Sequence, residues 1–422
     1  MGGDARTHAM IWQVIQTSPN LDSIWCAPGN AGIARERLKN GRLVTCVPEI
    51  SVDATGKQLA LAEKEDTELT LVSPEKPLVF GISGLFAASG RRIFGCDQAS
   101  ALFEGSKCMA QNFANKHSVR FASGESFDGP DKAKRYARKL NGKCAVKADE
   151  LRGGKGVTVC HSMSEAEVAI DAEFGKPNAK VVIQHLLAGR EVSLMVVCDG
   201  KTAKCFETAQ DYKLSLDGDL GEMTGGMGSF SGEPLLSQAQ IEEVYRTIIN
   251  PWLAGCQAEG ITFKGVLYIG LMITSDGIFA LEFNVRLGDP EAEVLLPRLQ
   301  TSLLDIADAC IDGSLDRLTL SFKPIHAVCV VMASRGYPGK LETGKVITGL
   351  DDLENWRNLK VFHAGTRMEG GNLVTAGGRV LAATGWATSR VVAANLVYEV
   401  VNSRINFSGK HFRQDIGRPR FV

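Results

Sequence analysis

The chain lacks several features that mark common classes of protein. Its 47 basic and 48 acidic residues leave a net charge of −1, so no overall field draws nucleic acid or an anionic membrane to it. Its 11 cysteines include no C-x-x-C pair, the usual signal of zinc or thioredoxin-like chemistry. Apolar runs such as 327–333 are too short to span a bilayer, and the N-terminus has no basic-then-apolar signal pattern. We therefore expect a cytoplasmic protein with reduced thiols and with no nucleic-acid or membrane partner.

Two common nucleotide-binding signatures are also missing. No G-x-G-x-x-G follows a strand-like run with an acidic residue about 20 positions further on, which argues against a dehydrogenase. Gly154-Lys155 is followed by Gly156 and Val157 rather than by the Ser or Thr of a Walker A loop. A nucleotide site, if present, must therefore be of another kind.

Glycine, in contrast, is abundant, with 45 in 422 residues, where about 7% is usual. At roughly 150 residues per domain, this length predicts about three domains. Strand-like runs at 23–27, 69–72 and 92–95 alternate with helix-like segments at 8–18 and 56–65, a βα pattern that predicts a parallel sheet. Residues 101–120 predict a helix, and beyond about 325 short strands with glycine-containing turns precede one helix near 388–402.

Local signals place three further elements. Ser164 with Glu167 and Ser237 with Gln240 have the spacing of capping boxes, so we expect a helix to begin at each serine. Two β-rich runs at 265–273 and 278–283 flank Ser275-Asp276-Gly277, which predicts a hairpin.

The first candidate site is the glycine-rich loop 147–157, directly after a strand-like run. It contains Lys147 and Lys155 together with Gly153, Gly154 and Gly156. Backbone N–H groups exposed by glycines, flanked by lysines, suit a polyphosphate. Taken alone, the loop is equally typical of a hairpin tip with solvated lysines.

The second candidate is the segment 282–291, where Glu282 and Asn284 alternate around an apolar Phe283. In a strand the two polar side chains share one face, and carboxylate and amide oxygens are ligands suited to Mg²⁺. Arg286 is in phase with them, and its guanidinium suits a carboxylate or phosphate. An exposed polar strand face is the alternative.

The third candidate is a long connection that begins at Asp211 and Lys213 and ends in the glycine-rich stretch Gly225, Gly226, Met227 and Gly228. Long connections of this kind are often functional. Considered alone, this one is more typical of a flexible surface loop.

Taken together, the three candidates resemble the ATP-grasp ligases in their order along the chain. The closer resemblance is to the phosphoribosylamine–glycine ligase (glycinamide ribonucleotide synthetase) family of purine biosynthesis. It is carried by segments 27–32, 73–78, 102–107, 147–157, 224–228, 282–291, 336–339, 362–366, 377–380 and 415–417.

This resemblance implies a multidomain fold of α/β and α+β type. Residues 1–105 would form an α/β substrate domain with a parallel sheet, residues 106–320 an ATP-grasp domain with a lid at about 120–190, and residues 321–422 a β-rich C-terminal domain. The family's usual first strand would lie ahead of residue 1, so we expect that strand to be missing. The glycine loop that follows it carries Asp4, where an aspartate would repel a substrate phosphate.

The resemblance also implies the ligands and the residues that bind them. ATP, glycine and 5-phosphoribosylamine would be the small-molecule partners of a monomer, with Mg²⁺ or Mn²⁺ as the metal. Direct catalytic roles would fall to Arg286 and Lys147, and metal binding to Glu282 and Asn284. ATP would be held by Lys107, Lys147, Gly153, Gly154, Lys155, Gly156 and Glu191. The substrate would be held by Asp211, Lys213, Gly225, Gly226, Met227, Gly228 and Arg286.

The reaction implied is the joining of glycine to 5-phosphoribosylamine through a glycyl phosphate, with release of ADP and phosphate. Two alternatives remain open at this point. One is an ATP-grasp ligase that joins a different carboxylate to a different amine. The other is a truncated or decayed copy that binds nucleotide without turnover.

Overall fold

The architecture is that of a computed structural model, which describes residues 1–151, 156–353 and 356–418. Across these ranges, no helix is both long and apolar enough to cross a membrane. All 11 cysteines are free, as their scattered positions predict.

The N-terminal region is an α/β unit built around short parallel strands. Its elements are α1 (Ala5–Thr17), β1 (Trp25–Cys26), β2 (Thr45–Cys46), α2 (Thr55–Lys64), β3 (Thr70–Leu71), α3 (Glu75–Val79), α4 (Ile82–Ala88), β4 (Ile93–Phe94) and α5 (Gln98–Gly105). Strand β1 pairs in parallel with β2, and β3 pairs in parallel with β4. The parallel arrangement predicted from the βα pattern is therefore confirmed.

The first two residues join these two pairs of strands. The terminal ammonium of Met1 donates to the carbonyl of Leu71 (2.8 Å), and the N–H of Gly2 donates to the carbonyl of Ala27 (3.0 Å). Met1 and Gly2 thus lie in the strand position between β1 and β3, although the sequence predicts no strand ahead of the glycine loop. They lead directly to Asp4 and α1.

The next unit of the chain is a helix followed by a small antiparallel sheet with two helices. Its elements are α6 (Lys107–Lys116), β5 (Gly124–Phe127), α7 (Pro130–Lys139), β6 (Cys144–Ala148), β7 (Val157–Cys160), α8 (Met163–Phe174) and β8 (Val181–His185). The strand order is β5-β8-β6-β7. Helices α7 and α8 pack on this sheet around a core of their own, which includes Ala137 and Ile170.

Two helix predictions in this part of the chain need correction. The predicted single helix over 101–120 is two helices, because Ser106 ends α5 and its hydroxyl then accepts from Met109 to begin α6. The helix expected to begin at Ser164 is capped by Ser162, whose hydroxyl accepts from the N–H of Glu165. The capping box of Ser237 and Gln240 is confirmed.

The rest of the chain builds one large sheet and the elements around it. These are β9 (Arg190–Asp199), β10 (Ala203–Cys205), β11 (Ala209–Asp211), β12 (Leu214–Leu216), β13 (Leu220–Met223), β14 (Gly228–Ser231), α9 (Gln238–Val244), α10 (Asn250–Ala258), β15 (Lys264–Thr274), β16 (Gly277–Asn284), α11 (Ala292–Leu295), α12 (Leu303–Asp312), β17 (His326–Ala333), β18 (Leu359–His363), β19 (Thr366–Glu369), β20 (Asn372–Thr375), β21 (Arg379–Ala387) and α13 (Arg390–Ser403). The hairpin predicted around 275–277 is formed by β15 and β16.

The large sheet has nine strands in the order β16-β15-β9-β11-β14-β17-β21-β18, with β10 beside β9. Successive residues of β9 alternate between two apolar cores, with Leu194 in one and Met195 in the other, because successive side chains of a strand point to opposite faces. Strand β14 pairs with β17, so the sheet continues from the predicted ATP-grasp region into the predicted C-terminal region.

The connection 211–228 is ordered rather than a plain loop. Strands β12 and β13 form a hairpin within it. The guanidinium of Arg413, which is fully buried, donates to the carbonyl of Leu214 (3.0 Å) and pairs with Asp219 (3.0 Å). The C-terminal segment therefore fixes this hairpin.

Candidate active site

A cavity of about 450 Å³ lies where the N-terminal region, the small sheet and the large sheet meet. It brings together residues that are far apart in the sequence. Of the predicted site residues, those that line it are Lys107, Lys147, Gly156, Glu191, Asp211, Lys213, Gly225, Glu282, Asn284 and Arg286. The predicted Gly153, Gly154 and Lys155 lie outside the described residues.

Glu282, Asn284 and Arg286 form a row at the end of β16. The hairpin with β15 and the buried Phe283 fix the strand, and its alternation turns Glu282 and Asn284 to the same side. Burial raises the pKa of Glu282, but the nearby charges of Lys213 and Lys147 outweigh burial and bring that pKa to about 2. Glu282 is therefore a carboxylate at neutral pH.

Lys147, at the end of β6, faces this row from the small sheet. Its side chain is buried, and its ammonium donates to the carbonyl of Leu281 (2.8 Å). Burial lowers the pKa of Lys147, and although Glu282 opposes this effect, the pKa falls to about 8. Lys107 lies at the same end of the cavity and donates to the carbonyl of Glu150 (3.2 Å). Two ammonium groups thus face one space beside an ionised carboxylate.

Lys213 lies between two carboxylates on the wall of the cavity. Its ammonium forms a close ion pair with Glu191 and lies 3.6 Å from the Oε1 atom of Glu282. Burial lowers the pKa of Lys213, but Glu191 and the other acidic neighbours raise it well above its ordinary value. Lys213 is therefore a permanent cation that links the predicted ATP ligand Glu191 to the predicted metal ligand Glu282.

The neighbouring part of the cavity is acidic. The Oδ1 atom of Asp211 is buried and has no hydrogen-bond partner among the described residues. Burial and the charge of Glu291 raise the pKa of Asp211 well above its ordinary value. Glu291 is itself buried, and its Oε1 accepts from the hydroxyl of Ser193 (2.8 Å). This pair of carboxyl groups suits a ligand that brings a positive charge or a hydrogen-bond donor.

The glycine-rich stretch 225–228 reaches the cavity only at its start. The N–H of Gly225 donates to the hydroxyl of Tyr337 (3.0 Å), and the carbonyl of Gly225 accepts from Arg379 (2.6 Å). Gly226, Met227 and Gly228 are absent from the cavity lining. At Gly226, with φ +111°, a Cβ would lie 2.4 Å from Cδ of Pro290, so this position requires glycine.

Several residues of the cavity have no predicted role. They are Arg6, Glu75, Glu104, Asp289, Glu291 and Arg379. The guanidinium of Arg379 donates to the carbonyl of Asp289 (2.7 Å) and pairs with its carboxylate (3.0 Å). Arg379 follows the Gly377-Gly378 pair that contributes to the family resemblance, and this motif is the signal that could have identified it.

The carboxylate of Asp4, which lines the cavity, has two structural partners. Its Oδ1 accepts from the N–H of Thr7 (2.8 Å) at the start of α1, and its Oδ2 pairs with Arg6 (2.7 Å). Burial raises the pKa of Asp4, but Arg6 and the Thr7 hydrogen bonds outweigh burial and bring that pKa to about 2. The aspartate expected to repel a phosphate is therefore paired with a cation and caps a helix.

A small sheet facing a larger one across a cavity, with lysines on one side and the Glu282 row on the other, defines an ATP-grasp enzyme. Enzymes of this class use ATP. Three family profiles match in succession: the phosphoribosylglycinamide synthetase N domain at 1–104, the ATP-grasp (A) domain at 105–292, and the C domain at 327–419. The chain belongs to the phosphoribosylglycinamide synthetase family.

Individual proteins agree with this result. A protein of Brucella melitensis biotype 1 named phosphoribosylamine–glycine ligase is 38% identical over 421 residues, covering 99% of this chain and 96% of that protein. The crystal structure of phosphoribosylamine–glycine ligase from Thermotoga maritima matches with a TM-score of 0.81 and 30% identity over 98% of each chain. The biotin carboxylase domain of 2-oxoglutarate carboxylase from Hydrogenobacter thermophilus, solved with MgADP, has a TM-score of 0.69 at 14% identity, covering 96% of this chain and 89% of that one. At that identity it shares the fold alone.

Proposed function

We propose that the protein ligates glycine to 5-phosphoribosylamine with consumption of ATP, giving glycinamide ribonucleotide, ADP and phosphate in purine biosynthesis. One observation carries the proposal. In a chain of this family, the row of Glu282, Asn284 and Arg286 and the ammonium of Lys147 line the same cavity. Residues 1–105, 106–320 and 321–422 are the domains that we assign to this activity.

The polyphosphate of ATP binds between Lys107 and Lys147, because both side chains line the cavity and Lys147 is buried there. Electrostatic attraction is stronger in such a space than in water. Gly156, which lines the same cavity, lies beside the phosphates. Glu191 receives the ribose, and its carboxylate is held by an ion pair with Lys213.

Glu282 and Asn284 have the chemistry of a magnesium site. Glu282 is ionised, and Asn284 contributes an amide oxygen two residues further on. Two protein oxygens are few for a metal held by protein alone, and Mg²⁺ normally completes its shell with phosphate oxygens and water. When bound, Mg²⁺ (or Mn²⁺) would neutralise charge that builds up on the transferred phosphate.

The reaction has two steps. A carboxylate oxygen of glycine attacks the γ-phosphorus, and the bond to the bridging oxygen of ADP breaks. The amine nitrogen of 5-phosphoribosylamine then attacks the carbonyl carbon of glycyl phosphate. The C–O bond to phosphate breaks, and the amine gives up a proton. No covalent bond to the protein is needed, because positioning and charge neutralisation supply the rate.

Three further residues of the cavity bind the two charged ends of glycine. Arg286 binds the carboxylate of glycine beside the γ-phosphate, since its guanidinium lies 3.2 Å from the amide oxygen of Asn284, one of the two proposed metal ligands. Asp211, whose Oδ1 has no hydrogen-bond partner in the described part of the chain, receives the ammonium of glycine. Glu291 lies beside Asp211 and strengthens the preference for a positively charged group.

The proposal is tested by supplying purified protein with Mg-ATP, glycine and freshly generated 5-phosphoribosylamine. We expect ADP formation that depends on both glycine and the amine. A matched control is Glu282→Gln, which keeps the size of the side chain and removes its charge. Stronger ADP formation with another carboxylate, or ATP binding without any turnover, would contradict the proposal.

A further inference from the structure

The guanidinium of Arg286 is held in place by the N-terminal region of the chain. Its Nη2 atom donates to Oε1 of Glu104 (2.8 Å), and its Nε atom lies 3.7 Å from a carboxylate oxygen of Glu75. Its Nη1 atom makes only a long hydrogen bond, 3.3 Å to the carbonyl of Leu287, within the described part of the chain. Nη2 is therefore held by Glu104 and by Oδ1 of Asn284 (3.2 Å), whereas Nε is buried without a hydrogen-bond partner among the described residues and Nη1 has only the weak bond to Leu287.

Glu104 fixes more than the side chain of Arg286. Its second oxygen, Oε2, accepts from the N–H of Val285 (2.8 Å), the residue between Asn284 and Arg286. The side chain of Glu104 is only 7% exposed, so its carboxylate has little water to bind instead. One carboxylate thus holds the backbone of the Glu282 row and the guanidinium at its end.

The position of Glu104 follows from aromatic packing at the end of α5. The ring of Phe103 packs edge-on against Phe113 (4.8 Å between centroids) and against Phe283 (6.1 Å). It also contacts Trp252 (5.4 Å). Phe283 is the buried neighbour of Asn284, so this cluster fixes the end of α5 against the end of β16. The next residue, Glu104, is therefore held at a constant distance from Arg286.

We propose that Glu104 is a positioning residue for the substrate carboxylate, acting through Arg286. By holding Nη2 and the backbone of Val285, it directs the weakly bonded Nη1 side of the guanidinium toward the carboxylate that ATP activates. This inference rests on the proposed function, because it assigns that carboxylate to glycine. Glu104 itself touches no substrate, and its effect is specific for the amino acid rather than for ATP.

The test compares Glu104→Gln and Glu104→Asp with Asp97→Ala. Asp97 caps the same helix, with its Oδ1 accepting from the N–H of Ser100 (2.8 Å), and it has no contact with Arg286 among the described residues. We expect Glu104→Gln to raise the KM for glycine about tenfold or more, as loss of a charged hydrogen bond does. Its KM for ATP should stay within about twofold. Glu104→Asp should recover part of the loss, and Asp97→Ala should lower Tm without changing the KM for glycine.

A double-mutant cycle with Arg286→Lys shows whether Glu104 acts through the arginine. Glu104→Gln should add little to the effect of Arg286→Lys. Fully additive effects would overturn the inference, and so would equal changes in the KM values for glycine and ATP.

A measurement without turnover separates failure of this inference from failure of the proposed function. In the ¹⁵N spectrum of arginine-labelled protein, the signal missing from Arg286→Lys identifies the guanidinium. We expect its rotation to be slow in the wild type and in Asp97→Ala, and faster in Glu104→Gln. Unchanged rotation in Glu104→Gln would overturn the positioning role whether or not glycine is the substrate.

Discussion

ATP binding should weaken as the pH rises from 7 to 9, because the ammonium of Lys147 is lost over this range. Burial brings the pKa of Lys147 to about 8 in the free protein. A group with that pKa is about nine-tenths protonated at pH 7 and about one-tenth protonated at pH 9. If only the protonated form attracts the phosphates, the Kd for ATP rises about tenfold across this interval, which equals about 1.4 kcal/mol.

Calorimetric titration with ATP at a series of pH values measures this effect. The charged groups near Lys147 are Glu282, Lys107, Lys213 and Glu191, so a matched variant is needed to assign the change. Lys147→Arg keeps the positive charge at every pH used, and its Kd should vary by less than about twofold over the range in which the wild type varies about tenfold. A wild-type Kd that does not change with pH would show that the charge of Lys147 does not govern ATP binding. An equally steep profile in Lys147→Arg would assign the titration to another group.

Three further predictions concern the ionised groups around the cavity and α1. Glu282→Gln should lower turnover by more than about 100-fold, which exceeds the usual effect of changing a residue that only contacts a metal ligand. Calorimetry should also show weaker Mg-ATP binding. Near-normal binding would contradict the assignment of Glu282 as a metal ligand. Lys213→Met should lower Tm in metal-free buffer, because Glu191 and Glu282 then repel each other. Mg²⁺ should raise the Tm of this variant more than that of the wild type. Equal increases in Tm on addition of Mg²⁺, measured by scanning fluorimetry, would contradict this prediction. Burial raises the pKa of Glu36, but the hydrogen bond from His8 and the charge of Lys360 outweigh burial and bring that pKa from 4.5 to about 2. The carboxylate of Glu36 therefore contributes about 3 kcal/mol to the free energy of unfolding above pH 4.5, and this contribution is lost as the pH falls toward 2. Urea unfolding should show that the difference in free energy of unfolding between the wild type and Glu36→Gln shrinks over that range. A constant difference would contradict this prediction.

Features set by short stretches of sequence were predictable. The hairpin of β15 and β16 follows from a turn flanked by two β-rich runs, and the placement of Glu282 and Asn284 on one face follows from strand alternation. The capping box of Ser237 was also identified, because its partner Gln240 lies only three residues away. These signals are local, and tertiary packing does not override them here.

The start of α8 shows where a local signal is ambiguous. Ser162 with Glu165 and Ser164 with Glu167 have the same spacing, so the sequence offers two equivalent caps. The structure uses Ser162, since β7 ends at Cys160 and the chain must turn at once. The side chain of Glu165 then accepts from the N–H of His161 (2.8 Å), which reinforces the earlier start.

Contacts between distant segments could not be predicted in the same way. Arg379 reaches Gly225 from more than 150 positions away along the chain, and Glu104 reaches Arg286 from more than 180. Neither arginine has a local spacing that reveals its partner. The family resemblance implied a substrate role for Arg286 but not the carboxylates that orient it, because a motif records residue types and not their contacts.

The central claim is that the carboxylate of glycine is activated by phosphorylation and then joined to the amine. The most direct test supplies glycine labelled with ¹⁸O in both carboxylate oxygens, with ATP and 5-phosphoribosylamine, and examines the inorganic phosphate by mass spectrometry. We expect one ¹⁸O atom in each phosphate released, because the oxygen that attacks the γ-phosphorus leaves with it. Product formation with unlabelled phosphate would exclude a glycyl phosphate intermediate.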